Sequence, residues 1–427
     1  MMDVGIAIMG YGVVGKGVAH AIRENGRQIE KRAGVRLRLL RVLDLLDFPG
    51  DPAADIMTRD VRDILGDRNV NIVVETMGGL KAAYGYTEQA LSAGKHVVTS
   101  NKELVAEYGP ELLAIAKKNG VSYRFDASVG GGIPLIAPMT ESLSANNIGG
   151  ITGILNGTTN FMLSHMRTHG AQFSETLSMA RELGYAEGDP SADIEGKDAC
   201  RKLAILSSAA WGKFLDWKLI HTEGIGNISA EDVAYAVDLG RVIKLVASSR
   251  LRGDGMIEAF VTPAMLDRRD PLACVEGVNN AVIFHCDLNG DIMLYGQGAG
   301  MIPTGGAVIA DVVKAATEKY GRPGADFAWD RTDALEYACF DGYTHGYYAR
   351  VTTADSAAYP AALFREFPEA RILPPSGERD TERGITGTRQ PLAFTVPIST
   401  EGEFAERLAR ANGAVAGSET AVIIRII

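Results

Sequence analysis

The sequence predicts an α/β protein organised on a doubly wound parallel sheet, and three observations carry that expectation. An apolar, β-branched run from Val4 to Met9 leads directly into glycines at positions 10, 12 and 15. A helical pattern from Val14 to about Arg32 follows at once. Apolar strands then alternate with helical stretches up to about residue 126, which is the signature of parallel β-α-β units.

The strands after Val4–Met9 are expected at Leu37–Leu43, Ile72–Glu75, His96–Thr99 and Val121–Asp126. Helical stretches separate them around Asp60–Leu65, Tyr86–Ala93 and Glu103–Lys118. After Pro134 the alternation gives way to mixed strands and long helices as far as about Gly300, including a helix that Ser229 would cap. Pro303–Tyr320 is a clear amphipathic helix, and Gly321–Gly324 with Pro323 is the best linker. The expected domains are 1–135 with a returning helix at 301–322, an α+β substrate and dimerisation domain at 136–300, and a small α+β unit at 340–427.

The chain has 427 residues, 46% of them hydrophobic and 22% charged, with a net charge of -10. That balance suits a globular chain with substantial cores and argues against a nucleic-acid or anionic-membrane surface. Cys200, Cys274, Cys286 and Cys339 form no CxxC pair and no metal-ligand spacing, so a reducing, cytoplasmic setting is the simplest expectation. The opening MMDVGIAIMGYG lacks a basic leader, and no apolar stretch is long enough to span a bilayer.

GYGVVG, from Gly10 to Gly15, sits between a strand and a helix, the setting in which GxGxxG binds a dinucleotide in a Rossmann-type fold. Gly10, Gly12 and Gly15 let the backbone approach a pyrophosphate, with Val13 and Val14 opening the helix whose N-H groups would face it. The plainer alternative is a tight turn with no ligand. At the end of the second strand Asp44 could bind the ribose hydroxyls of NAD, and no lysine or arginine follows closely to receive the 2'-phosphate of NADP. Arg41, within the strand, is the residue that could reverse that preference.

GYAEGDPSADIEGKDACRKL, from Gly184 to Leu203, crowds Glu187, Asp189, Asp193, Glu195 and Asp198 around a helix carrying Lys202. The spacing predicts a helix over Gly196–Trp211, with Asp198 and Lys202 one turn apart. Apolar residues follow Lys202, so its stem should border the core while its ammonium meets acids, an arrangement suited to proton donation. An ordinary i,i+4 ion pair beside a solvated loop is the plainer alternative. The seven histidines are scattered and none lies in this segment, which gives a His/Asp proton relay little support.

Several ordered stretches together resemble homoserine dehydrogenase over about residues 5 to 320: ETMGG at Glu75–Gly79, TSNKELVA at Thr99–Ala106, ASVGGGIPLI at Ala127–Ile136 and ITGILNGTTNFML at Ile151–Leu163. The acidic segment, HTEGIGNISAEDVAYA at His221–Ala236 and LYGQGAGMIPTGGAVIADVV at Leu294–Val313 extend the resemblance. It implies interconversion of L-homoserine and L-aspartate 4-semialdehyde with NAD(H) or NADP(H), in threonine, methionine and isoleucine biosynthesis. It further implies Lys202 as proton donor and Lys102 as a second lysine at the junction of nicotinamide and substrate. Glu187, Asp193 and Asp198 would hold the substrate, and Ser100, Gly184 and Gly298 would contact the cofactor. A sodium ion is implied at Asp126, where the family usually has glutamate, with carbonyls from Val129, Gly131 and Ile133. A glycine bend is the alternative there.

In the C-terminal unit, GYYARVTTAD at Gly346–Asp355 and the closing AVIIRII resemble strands of an ACT domain. The segment Ser356–Phe364 reads SAAYPAALF in place of the usual Pro-Gly-Val turn, and Gly377–Pro391 reads as an exposed loop. That unit would bind an effector or close a homodimer or higher oligomer. Two competing functions stand beside the first: reduction of another amino-acid semialdehyde, and a non-catalytic dinucleotide or amino-acid sensor. The sensor has no use for Lys102, Glu187, Asp198 and Lys202 together.

Overall fold

The computed structural model describes residues 2–317, 329, 331–374 and 390–427. The chain opens with β1 (Met2–Met9), α1 (Val13–Ala33), β2 (Val35–Leu43) and β3 (Met57–Thr58). It continues through α2 (Arg62–Leu65), β4 (Val70–Glu75), α3 (Lys81–Ser92), β5 (His96–Thr99), α4 (Lys102–Lys118) and β6 (Tyr123–Arg124). The six strands pair in parallel in the order β3-β2-β1-β4-β5-β6. Strand order reverses beside β1, which opens a crevice at the carboxyl ends of β1 and β4. Ile6, Ile8, Val73 and Val74 are fully enclosed, as expected where both faces of a parallel sheet are covered.

Two expected boundaries move. Helix α3 starts at Lys81, ahead of the expected Tyr86, because the AAYGY stretch hides the helical period behind small residues. Strand β6 shortens from the expected Val121–Asp126 to Tyr123–Arg124, since it lies at the sheet edge and Asp126 already turns into the next helix.

The middle of the chain runs through α5 (Ala127–Gly130), α6 (Ile136–Thr140), β7 (Ile148–Ile154), α7 (Gly157–His169), α8 (Phe173–Glu182) and α9 (Ser191–Ile194). Then come α10 (Lys197–Trp211), β8 (His221–Thr222), α11 (Ala230–Asp238), β9 (Arg241–Leu251) and β10 (Ile257–Asp267). Ser229 caps α11 as expected, and Asp232 returns a hydrogen bond to its N-H, a reciprocal capping box. After β11 (Asn279–Cys286) and β12 (Gly290–Gln297), α12 (Met301–Thr317) packs against α1. The two helices touch where glycines leave room: a Cβ on Gly17 would lie 2.1 Å from the Met301 carbonyl oxygen. The expected helix end at 318–320 and the Gly321–Gly324 linker lie outside the described residues.

The C-terminal elements are β13 (Thr344–Thr353), α13 (Tyr359–Glu366), β14 (Arg371–Ile372), β15 (Gln390–Thr400), α14 (Glu401–Ala414) and β16 (Glu419–Ile426). Their strands pair antiparallel in the order β16-β13-β15-β14, and Tyr347, Tyr359, Leu363, Phe394 and Phe404 form the core beneath the two helices. Most of the expected loop, 377–389, lies outside the described residues, and Gln390 and Pro391 already belong to β15.

The chain divides into two compact units. The first comprises Met1–Ile151, Arg201–Lys218 and Asn280–Leu335, and the second Thr152–Cys200, Leu219–Asn279 and Glu336–Ile427. This cuts across the three expected domains, because long-range pairing decides membership: β16 hydrogen-bonds β10 at Ala264 and Met265, tying the C-terminal strands to the middle of the chain. Among the described residues no helix is long and apolar enough to cross a membrane, and the four cysteines are free.

Candidate active site

In the first unit the glycine turn closes on the carboxyl ends of three strands. The Gly10 N-H donates to the Leu43 carbonyl at 2.8 Å, and the Thr76 hydroxyl to the Gly10 carbonyl at 2.7 Å. Gly10 has φ +93, and a Cβ there would lie 2.8 Å from the Thr76 and Met77 backbone. A Cβ on Gly15 would lie 2.1 Å from the Gly10 carbonyl oxygen, whereas Gly12 has open space around it. Gly12 heads α1 with no side-chain cap and no acid in the first turn, and Val13 is exposed with Val14 half-buried. A bare helix N-terminus behind an open glycine fits a pyrophosphate.

Asp44 lies at this turn. Its carboxylate accepts from the Tyr11 N-H at 2.6 Å and the Leu46 N-H at 2.9 Å. Arg41 turns away, donating to the Leu40 carbonyl and lying 3.8 Å from Asp67. A cation that motif reading missed stands on α1: Lys16 Nζ is 4.6 Å from the Phe48 ring centre.

Ser100, Asn101 and Lys102 follow the end of β5. The Asn101 side chain caps α4 by accepting from Leu104 N-H at 3.0 Å, and its amide donates to the Gly79 carbonyl at 3.0 Å. The NK pair thereby binds the ETMGG turn, while the half-buried Lys102 opens α4. Beneath this turn Glu75 is fully enclosed, accepting from the Thr99 hydroxyl and the Met77 N-H. Burial lifts its carboxyl to about 7 against those hydrogen bonds.

Lys202 is buried on α10, as are Leu203, Ala204, Ile205 and Leu206 after it. Arg201, beside it, donates to Glu103 at 2.7 Å and stacks its guanidinium 4.7 Å from the Trp217 ring centre. Glu103 follows Lys102, so one ion pair joins the segments that carry the two lysines. No local sequence signal announces that pair.

Gly298 is glycine for a spatial reason: a Cβ would lie 2.1 Å from Asn280 Nδ2. Gly131, with φ +58, packs against it, because a Cβ there would meet the Gly298 carbonyl oxygen at 2.1 Å. The buried Asp126 turns its carboxylate toward α6, accepting from the N-H groups of Leu135 at 3.0 Å, Ile136 at 2.9 Å and Ala137 at 3.2 Å. With both oxygens engaged by N-H donors, Asp126 acts as a helix cap, and the sodium expectation for Asp126, Val129, Gly131 and Ile133 draws no support from this geometry. No group of three or more His, Cys, Asp or Glu among the described residues is placed to hold a metal.

In the second unit the acidic segment is sorted by burial. Glu187 and Asp189 are exposed, Asp193 is half-buried and Asp198 is buried. The amide of Asn156 donates to Asp193 Oδ1 at 2.7 Å and to Asp198 Oδ2 at 2.9 Å. Asn156 also caps α7, its oxygen accepting from the Thr159 N-H at 2.8 Å. The residue lies within the quoted ILNGTTN stretch, yet nothing in its spacing pointed to the acids it joins. Gly184, with φ +73, ends the turn after α8, and the next carbonyl, of Tyr185, accepts from the Thr158 hydroxyl at 2.7 Å.

Two family models match this chain: homoserine dehydrogenase over residues 134–313, and the homoserine dehydrogenase NAD binding domain over residues 10–126. The chain belongs to the homoserine dehydrogenase family. It is 39% identical over 363 residues to the homoserine dehydrogenase of Neisseria gonorrhoeae, covering 83% of each chain. The crystal structure of a homoserine dehydrogenase from Thiobacillus denitrificans superposes with a TM-score of 0.86 and 34% identity, covering 100% of this chain and 99% of that one. A hyperthermophilic archaeal homoserine dehydrogenase mutant in complex with NADPH matches at a TM-score of 0.63 and 29% identity, covering 75% of this chain and all of that one. The chain is thus an NAD(P)-dependent oxidoreductase that interconverts homoserine and aspartate semialdehyde, and its glycine turn lies within the matched NAD binding domain.

Proposed function

We propose that in this homoserine dehydrogenase Lys202 delivers the proton to the carbonyl oxygen of aspartate 4-semialdehyde and takes it back from homoserine in the reverse direction. The nicotinamide, when bound, supplies or receives the hydride. Hydride arrival leaves negative charge on oxygen, which the Lys202 and Lys102 ammonium groups stabilise while Lys202 transfers its proton. Glu187 and Asp198 hold the substrate ammonium through charge-assisted hydrogen bonds, with Asp193 beside Asp198 on the same Asn156 amide. The observation that carries this reading is the pair of acids gathered on one Asn156 amide, with Asp198 a single helical turn before a buried lysine.

Gly10, Gly12, Val13, Val14, Gly15, Ser100, Lys102, Gly184 and Gly298 are the cofactor contacts. Asp44 beside the turn, with Arg41 directed at Asp67, supports a preference for NAD(H) over NADP(H). The β-α-β-β-α-β order of the last elements supports an ACT-like unit, and the enzyme acts in the cytoplasm as a homodimer or higher oligomer assembled through its 136–300 domain. One assay tests the centre of this reading. Aspartate semialdehyde should drive oxidation of NADH, and Lys202→Ala should lower kcat by about 100-fold or more while cofactor affinity is retained. Undiminished turnover in that variant would overturn the role of Lys202, and catalytic efficiency about tenfold better with NADPH would overturn the cofactor preference.

A further inference from the structure

We infer that Arg425, on the last strand, is a positioning residue for the acids that hold substrate, and that it acts through Glu223, Gly224 and Ile194. The inference rests on the roles proposed above for Asp193 and Asp198.

Arg425 is 3% exposed, and its guanidinium is spent on two carboxylates. Nε and Nη2 donate to Glu401 at 2.9 and 3.0 Å, Nη2 donates to Glu223 Oε1 at 2.7 Å, and Nη1 donates to Glu223 Oε2. Each carboxylate also meets a histidine: His221 Nε2 lies 2.7 Å from Glu223 and His345 Nδ1 lies 3.1 Å from Glu401. Burial pushes the Glu223 carboxyl up, but the His221 and Arg425 hydrogen bonds outweigh it and hold the group at about 2. A planar, permanently charged fork shared between two acids fixes the direction of both.

What lies next to Glu223 gives this network a reach beyond stability. The Glu223 N-H donates to the Val261 carbonyl at 2.8 Å, which sets the strand from which Gly224 emerges. At Gly224 the backbone passes so close to the acidic segment that a Cβ would lie 2.0 Å from the Ile194 carbonyl oxygen. Ile225 N-H then donates to that same oxygen at 2.9 Å. On the other side Gly196, with φ +81, lets the helix entry approach Glu223: a Cβ there would lie 3.3 Å from the Glu223 carbonyl oxygen. Residues 194–196 are therefore clasped by residues 222–225, with Asp193 immediately before the clasp and Asp198 two residues after it. Glu223 holds the clasp and Arg425 holds Glu223. A displacement of well under an ångström at charged ligands is enough to weaken an oriented ammonium contact.

The test uses the full chain, with Arg425→Met to remove the fork and Gly224→Ala to push the clasp off Ile194 without removing any ion-pairing side chain. Steady-state rates should show the KM for homoserine raised about tenfold in both variants, with the KM for NAD(H) unchanged and kcat within about threefold of the parent enzyme. An unchanged homoserine KM in either folded variant overturns the inference, as does a parallel rise in both KM values, which would mark general loosening. If Arg425→Met does not fold, Gly224→Ala decides alone. Failure of the parent enzyme to turn over homoserine would sink the underlying reading itself, a result distinct from normal parent kinetics with indifferent variants.

Discussion

Asn156 donates its side-chain amide to Asp198 at 2.9 Å, and both residues are buried. The same amide nitrogen reaches Asp193 at 2.7 Å, so one neutral donor joins two acids 5 positions apart in the chain. The two acids proposed for the substrate site are thus gathered on one donor, an arrangement that lowers the ordering cost of binding.

Asn156→Ala should raise the KM for homoserine about tenfold and leave the KM for the cofactor unchanged. It also removes the cap of α7, at a stability cost of about 1 kcal/mol. A variant that loses only stability, with normal homoserine KM, would show that the amide is a cap and nothing more.

Glu103 and Arg201 join the segments that carry Lys102 and Lys202. Glu103→Gln should lower kcat/KM by about tenfold, because small displacements of reacting groups are costly in rate. Glu103→Asp, which keeps the charge, should recover part of the loss. Equal loss in both variants would point to packing against Trp217 in place of ion-pair positioning.

Glu75 makes stability depend on pH with a definite sign. Its ordinary carboxyl value is 4.5, and burial raises it in the fold to about 7 against hydrogen bonds from Thr99, the Met77 N-H and Asn101. Between those values the folded chain keeps a proton that the unfolded chain has released, so the stability contributed by this group falls as pH rises and the penalty is complete above about pH 7. The gap corresponds to roughly 3 kcal/mol. Glu75→Gln should therefore gain in Tm over the parent between about pH 5 and about pH 8. A difference in Tm that stays flat across that range would refute the assignment.

Asp126, engaged by the N-H groups of α6, should make activity indifferent to the alkali cation. Rates in sodium and potassium chloride at equal ionic strength are expected to agree within about twofold, since both Asp126 oxygens already accept from N-H donors. A collapse of activity in potassium that sodium restores would return Asp126 to a metal-binding role.

Much of this protein was legible along the chain. The glycine turn between Met9 and Val14, the strand and helix periods around it, and the crowded acids before Lys202 are all local patterns, set by turn sterics and by the side-chain repeat of each element. They point to a dinucleotide-binding sheet and to a lysine among acids, and the quoted motifs resemble one family. The ends of α3 and β6 were misjudged where small residues or a sheet edge blur the period.

What only the tertiary structure decided is which of these groups meet. Asn156 and Asp198 are 42 residues apart, Glu103 and Arg201 are 98 apart, and Glu223 and Arg425 are 202 apart. Nothing in the spacing along the chain encodes such pairs, because each arises from how strands and helices separated in sequence are brought side by side. The same reason sorts the five acids: Glu187 and Asp189 are exposed while Asp198 is buried, a distinction set by what packs over them and invisible in a row of carboxylates.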